Sequence, residues 1–231
     1  MRDFLQGENF VKGLKLSILC LILLLPNLLW KYFVGYSDYM KRVLSPDKVL
    51  SIFTKDIFMI WVSMQISATA GYAWSKRPHL AGTGGWDNVR SDLKLILFLG
   101  ITISALEAIF FDFWLLRPFF RALPRNPFTS SVYVVEEVIC RFGILVIAFR
   151  LTRSITASVL VAAVFNVAVG LRTVYFGGAV PPPGLVAIAA TKSFLLAVFY
   201  GYFFVKKGLF STMTMRFVIG LKFAVYTFIN F

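Results

Sequence analysis

Glu136, Glu137 and Arg141 sit inside an otherwise apolar stretch, SSVYVVEEVICRFGILVIAF, residues 130–149. Two adjacent carboxylates followed by a guanidinium could do one of two things. Glu137 and Arg141 are one helical turn apart, so they share a helix face and can pair. Inside an apolar medium that pairing offsets part of the cost of burying both charges. Glu136 is rotated about 100° from Glu137, so it points toward another helix. A carboxylate with a poorer partner in an apolar site is a candidate general base. The other reading is an ion-pair network that only fixes helix packing, which places the same residue types in the same setting.

The surrounding sequence says what must hold these residues. The chain has 231 residues, 58% hydrophobic and 15% charged, with 25 Phe and a mean hydropathy of +0.77. Soluble domains are nearer a quarter charged. A helical span of a bilayer needs roughly 20 mostly apolar residues. Runs of that kind occur near 14–33, 49–72, 93–116, 131–149, 154–170, 184–205 and 209–229. The fold expected is therefore all-α, a polytopic membrane bundle of about seven or eight transmembrane helices. The alternating ten-residue pattern of a membrane barrel is absent. The first run follows Arg2, Lys12 and Lys15 like a signal peptide. It lacks a small-residue cleavage site and continues into Trp30 and Tyr32, so it reads as a retained span.

Charge narrows the function classes. The net charge is +13, but Lys and Arg flank the apolar runs, where they meet anionic head groups. A lipid bilayer is the expected partner and nucleic acid is not. Basic residues number eleven on the N-terminal side of the spans and eight on the other, a bias toward a cytoplasmic N-terminus. Ionisable groups inside spans cost ~2.5–3.5 kcal/mol each on insertion scales, so they face the bundle interior and find partners. Lys55, Asp56, Glu107, Asp112, Lys192, Arg216 and Lys222 join the first three in this class. Cys20 and Cys140 lie in different apolar runs and read as small packing residues. His79 and GTGG, residues 82–85, fall in a loop and lack the context of a catalytic base or a phosphate cradle. The Phe-rich stretches AIFFDFWLLRPFF and FLLAVFYGYFF read as surfaces facing lipid or other subunits.

EEVICR fits the pattern EExxxR. In the next apolar run, VAAVFNVAVG offers Phe165 to the pattern FxxxH, with Val169 at the histidine position. GYFFVKKGLFSTMTMRFVIG then places Arg216 where a further histidine would stand and Gly220 where an Asn or Asp would follow. Between residues 95 and 222 the chain thus resembles the CAAX protease and bacteriocin-processing (CPBP) family, intramembrane glutamate proteases related to the type II CAAX prenyl endopeptidase. The resemblance implies N-terminal transmembrane helices over 1–92 and a CAAX-protease-like membrane core over 93–231. It implies catalytic positions at Glu136, Glu137 and Arg141, and degenerate ones at Phe165, Val169, Arg216 and Gly220. The fourth, fifth and seventh spans should then converge and bring Glu136, Glu137, Arg141, Phe165, Val169 and Arg216 together.

The departures set the expected function. Val169 can neither donate nor accept a hydrogen bond, and a guanidinium cannot serve as a base. Losing one transition-state donor typically costs ~10²–10³ in rate. The resemblance with these substitutions implies a proteolytically inactive relative that binds membrane partners or serves as a subunit of a complex. The alternatives are an active, metal-independent intramembrane endopeptidase with a non-standard site built on Glu136 and Glu137, and a transporter, since buried charges also line ion paths. No cofactor is expected. Two carboxylates with neither a histidine nor a third ligand leave a metal short of donors.

Overall fold

The computed structural model describes residues 4, 6–35, 45–75, 80, 86–113, 126–176 and 182–228. Helix α1 (Gly7–Leu29) runs into a π-helical segment, Trp30–Gly35. Helix α2 (Pro46–Trp74) starts with proline in its first turn, where the missing N–H costs nothing, and carries Asp47 beside it at the positive end of the dipole. Helix α3 (Trp86–Leu106) continues as a second π segment, Glu107–Phe113. Helix α4 (Thr129–Glu137), a third π segment (Val138–Leu145) and α5 (Val146–Thr152) form one continuous rod. Helices α6 (Ile155–Phe176), α7 (Pro183–Lys207) and α8 (Leu209–Phe228) follow. No strand occurs among the described residues.

The stops between rods have local causes. Arg153 takes the left-handed conformation (φ 56°), and its N–H reaches the Phe149 carbonyl at 2.9 Å. The Ser154 side chain then accepts from the N–H of Ala157, capping α6. The PPP run does what the stiffness of proline allows: it cannot extend a helix, but α7 begins at its last member. Gly208, at φ 86°, is the whole joint between α7 and α8, and its N–H closes on the Phe204 carbonyl at 2.8 Å. A side chain there would be strained.

Five helical stretches are long and apolar enough to cross a membrane: Gly7–Phe33, Pro46–Trp74, Asn88–Phe111, Pro183–Lys207 and Leu209–Tyr226. They coincide with five of the seven runs expected from sequence. The other two are also helical. The rod over 129–152 carries Glu136, Glu137 and Arg141 in its middle, and Ile155–Gly170 is a shorter apolar helix. The protein is a multi-pass helical membrane bundle. Large apolar residues such as Ile22, Phe98 and Leu195 stand exposed on its outside, a surface that water would penalise and lipid does not.

Helix α1 lies along α2, joined by a polar seam in which Ser17 donates to Gln65 Oε1 (2.7 Å) and Gln65 donates to Thr69 (3.2 Å). Helix α2 packs against the π segment Val138–Leu145, α6 against α7, and α8 between α3 and α4. One core joins Leu16, Cys20 and Met64 to Val138, Phe142 and Phe204, so residues on either side of position 92 share it. A smaller core holds Ile96, Tyr200, Phe203, Met215 and Ile219. The Phe-rich reading is corrected here. Ile109 and Phe110 are exposed as expected, but Tyr200, Phe203 and Phe204 are buried. A run of aromatic residues has no polar face to mark its outside, so its sequence does not say which side packs inward. His79, residues 82–85 and the basic residues Arg117, Arg121 and Arg125 lie outside the described residues.

Candidate functional site

The last turn of α4 delivers Glu136 and Glu137, and the π segment that follows holds Arg141. A widened turn at this point shifts the register of the side chains beyond it, and such turns recur at functional sites. Helix α8 supplies Arg216. The reach of Arg216 depends on Gly220, one turn further along. A Cβ at Gly220 would stand 2.6 Å from the Ser130 Cα and 2.9 Å from the Tyr133 ring. The bare backbone therefore lets α8 lie directly against α4. We expect Gly220→Val to push the two helices apart and cost ~1–3 kcal/mol as overpacking. A lowered melting temperature in detergent would report it, and an unchanged one would show that α4 and α8 can separate freely.

Arg216 closes on both carboxylates. Its Nη2 donates to Glu136 Oε2 at 2.6 Å, and its Nε lies 3.2 Å from Glu137 Oε1. Glu137 Oε2 is in turn 3.5 Å from Arg141 Nε, and Arg141 Nη2 donates to the Ala197 carbonyl at 3.3 Å. Two aromatic rings complete the setting. The Arg216 guanidinium lies 4.1 Å from the Tyr133 ring centre and 4.6 Å from that of Tyr200, and Arg141 lies 5.8 Å from Tyr200. Cations over aromatic faces gain ~0.5–2 kcal/mol, more as water is removed. Glu137 is 0% exposed and Arg141 nearly so, while the Glu136 side chain keeps 32%. Two acids and two bases thus form a neutral quartet, the composition that burial in an apolar medium demands.

The expected intrahelical pair and the expected turn of Glu136 toward another helix are both present. Phe165 and Val169 do not join the quartet, which corrects the expectation that they would. They are 38% and 44% exposed on α6. The face of α6 turned inward carries Asn166, whose amide donates to Cys140 Sγ at 3.6 Å. At 100° per residue, Phe165 stands ~100° and Val169 ~60° from Asn166, at the outer edge of that face. Lys55 is exposed, and Asp56 accepts a hydrogen bond from Tyr32. Sequence reasoning missed Tyr133 and Tyr200. Tyr133 had a signal, three residues before Glu136 and so on a neighbouring face. Tyr200, on another helix, had none.

A second ionic cluster lies deeper on α8. Lys222 donates to Glu107 Oε2 at 2.7 Å, and Lys192 is 3.1 Å from Glu107 Oε1. Lys192 also lies 5.0 Å from the Phe111 ring. A third pair, Lys207 with Asp92 at 2.8 Å, joins the end of α7 to the start of α3.

In chemical terms, the quartet has its carboxylates engaged. Glu136 Oε2 accepts from Arg216, and the two Glu137 oxygens lie 3.2 and 3.5 Å from guanidinium nitrogens outside hydrogen-bond geometry, so Glu137 is held by charge alone, beside groups that cannot themselves take a proton. Among the described residues no three His, Cys, Asp or Glu side chains converge as metal donors would. No family model, no curated protein and no solved structure matches the chain, so the reading of the site rests on its own residues.

Proposed function

We propose that this protein is a multi-pass membrane subunit in which a protease-like carboxylate pair has become a salt-bridge lock, and that it acts by binding other membrane proteins. In this reading the rod over 129–152 and the helix Ile155–Gly170 are two further spans, the core over 93–231 is CAAX-protease-like, and the N-terminus is cytoplasmic. The observation that carries the reading is Arg216, standing at the position of a family histidine and ion-paired with both Glu136 and Glu137. A fixed cation there holds the group that would otherwise activate water. The same four charges, kept neutral in sum, hold α4, the π segment and α8 in one arrangement and so fix the lateral surface shown to neighbouring spans.

The test is a cleavage time course on prenylated and unprenylated peptides with wild type and Glu136→Ala side by side. No hydrolysis by either is expected, and the wild type purified in mild detergent should migrate with other membrane proteins. Turnover by the wild type that vanishes in Glu136→Ala would make the protein an endopeptidase that uses Glu136, the more exposed of the two acids. Migration of the chain alone would remove the subunit reading.

A further inference from the structure

We propose that Glu136, Asn166 and Gly170 form a lateral cleft that docks a transmembrane helix of a partner protein through an uncharged hydrogen-bond donor, an amide or hydroxyl side chain. The proposal rests on the partner-binding reading, with the rod over 129–152 as a span, and gives that reading a place and a chemistry.

The cleft follows from the way α6 returns along the rod. Only Arg153 and Ser154 separate the two, so they are antiparallel neighbours. The Asn166–Cys140 contact sets which residues stand opposite each other. One turn further along each helix, away from the joint, come Gly170 and Glu136. A Cβ at Gly170 would meet nothing within 4 Å among the described residues. The wall facing Glu136 is therefore a notch, and the exposed side chains of Val169 and Phe165 stand at its outer edge.

Two acceptors in this notch are left open. Arg216 takes Glu136 Oε2, but Oε1 accepts no hydrogen bond among the described residues, and 32% of the side chain stays exposed. Asn166 is part-buried. Its amide N–H goes to sulfur, a weak acceptor, and its Oδ1 accepts nothing among the described residues. Glu136 stands ~10 Å in from the start of α4. At that depth lipid tails have no hydrogen to donate, so an open carboxylate oxygen is costly until another helix meets it. Interhelical hydrogen bonds and bare glycine backbones are what join membrane helices, and this cleft offers both.

Charge balance chooses the donor. Glu136, Glu137, Arg141 and Arg216 already sum to zero. A partner Lys or Arg would leave a net cation in an apolar site, which is expensive. An amide or hydroxyl brings an N–H or O–H without charge.

The full chain, with a fluorophore at its N-terminus, is reconstituted into phosphatidylcholine vesicles with dilute acceptor-labelled transmembrane peptides. One peptide is all leucine across its span. Two others carry a single Gln or a single Lys ~10 Å from one end. Energy transfer should show the Gln peptide associating roughly three- to thirtyfold more tightly than the leucine peptide, the range interhelical hydrogen bonds give. Gly170→Leu fills the notch where nothing stands in its way, so it should abolish that preference at an unchanged melting temperature. Asn166→Leu should reduce the preference, and Phe98→Ala, on the exposed face of α3, should leave it intact. Equal binding of the Gln and leucine peptides overturns the proposal, as does a preference that survives Gly170→Leu. Tighter binding of the Lys peptide overturns the uncharged donor, and labelled copies that pair with each other and exclude the peptide give the cleft to a second copy instead. Wild type that migrates with other membrane proteins yet shows no peptide preference sinks the cleft alone, whereas wild type that migrates alone sinks the partner-binding reading itself.

Discussion

Arg216→Ala should be the most damaging single substitution in this protein, lowering stability by ~3–5 kcal/mol. Among the described residues, Arg216 is the one cation that touches both carboxylates. Removing it leaves Glu136 with no described cation and Glu137 with Arg141 alone, at 3.5 Å. It also removes the guanidinium that lies 4.1 Å from the Tyr133 ring centre and 4.6 Å from that of Tyr200. For a chain of this size each kcal/mol moves the melting temperature by ~2–4 °C, so a fall of roughly 10 °C in detergent is expected. Arg216→Lys should recover only part of it. An ammonium is a point charge without the planar fork, and it cannot bridge two carboxylates while stacking on two rings. Melting of Arg216→Ala at the wild-type temperature would mean that the quartet does not hold the bundle together.

Glu137→Gln should come next, also at ~3–5 kcal/mol. The substitution keeps the shape and removes the charge. Arg216 retains Glu136, so the orphan is Arg141, buried with the Ala197 carbonyl and the Tyr200 ring for company. A lone buried cation costs more than the pair it came from. Replacing both partners, Glu137→Gln with Arg141→Met, should therefore restore much of the loss, because no unpaired charge then remains on that side. Thermal melting of the single and double variants measures this. A single variant as stable as wild type would show that the Ala197 carbonyl satisfies Arg141 by itself.

Much of this was legible in the residues alone. Long apolar runs with charges at their margins specify membrane helices, because a backbone in lipid must satisfy its own hydrogen bonds. The helical period placed Glu137 and Arg141 on one face and turned Glu136 off it. Both follow from local geometry, and both hold in the folded chain. The period says which way a side chain points along its own helix, and nothing about which helix stands there. That Glu136 would meet Arg216, eighty residues later, was expected only through the family resemblance and not from the helical period, and α8 lying against α4 at Gly220 is what brings the two together. The pairing of Glu107 with Lys192 and Lys222 was decided in the same way, by three helices meeting at one depth. Hydrophobicity also fails to tell core from surface here. Phe165 and Val169 face outward and Phe203 and Phe204 inward, although all four are equally apolar. In water the exposed face of a helix must be polar and so declares itself. In lipid both faces meet hydrocarbon, so the sequence determines that these helices span, and only their packing determines which face becomes the interior.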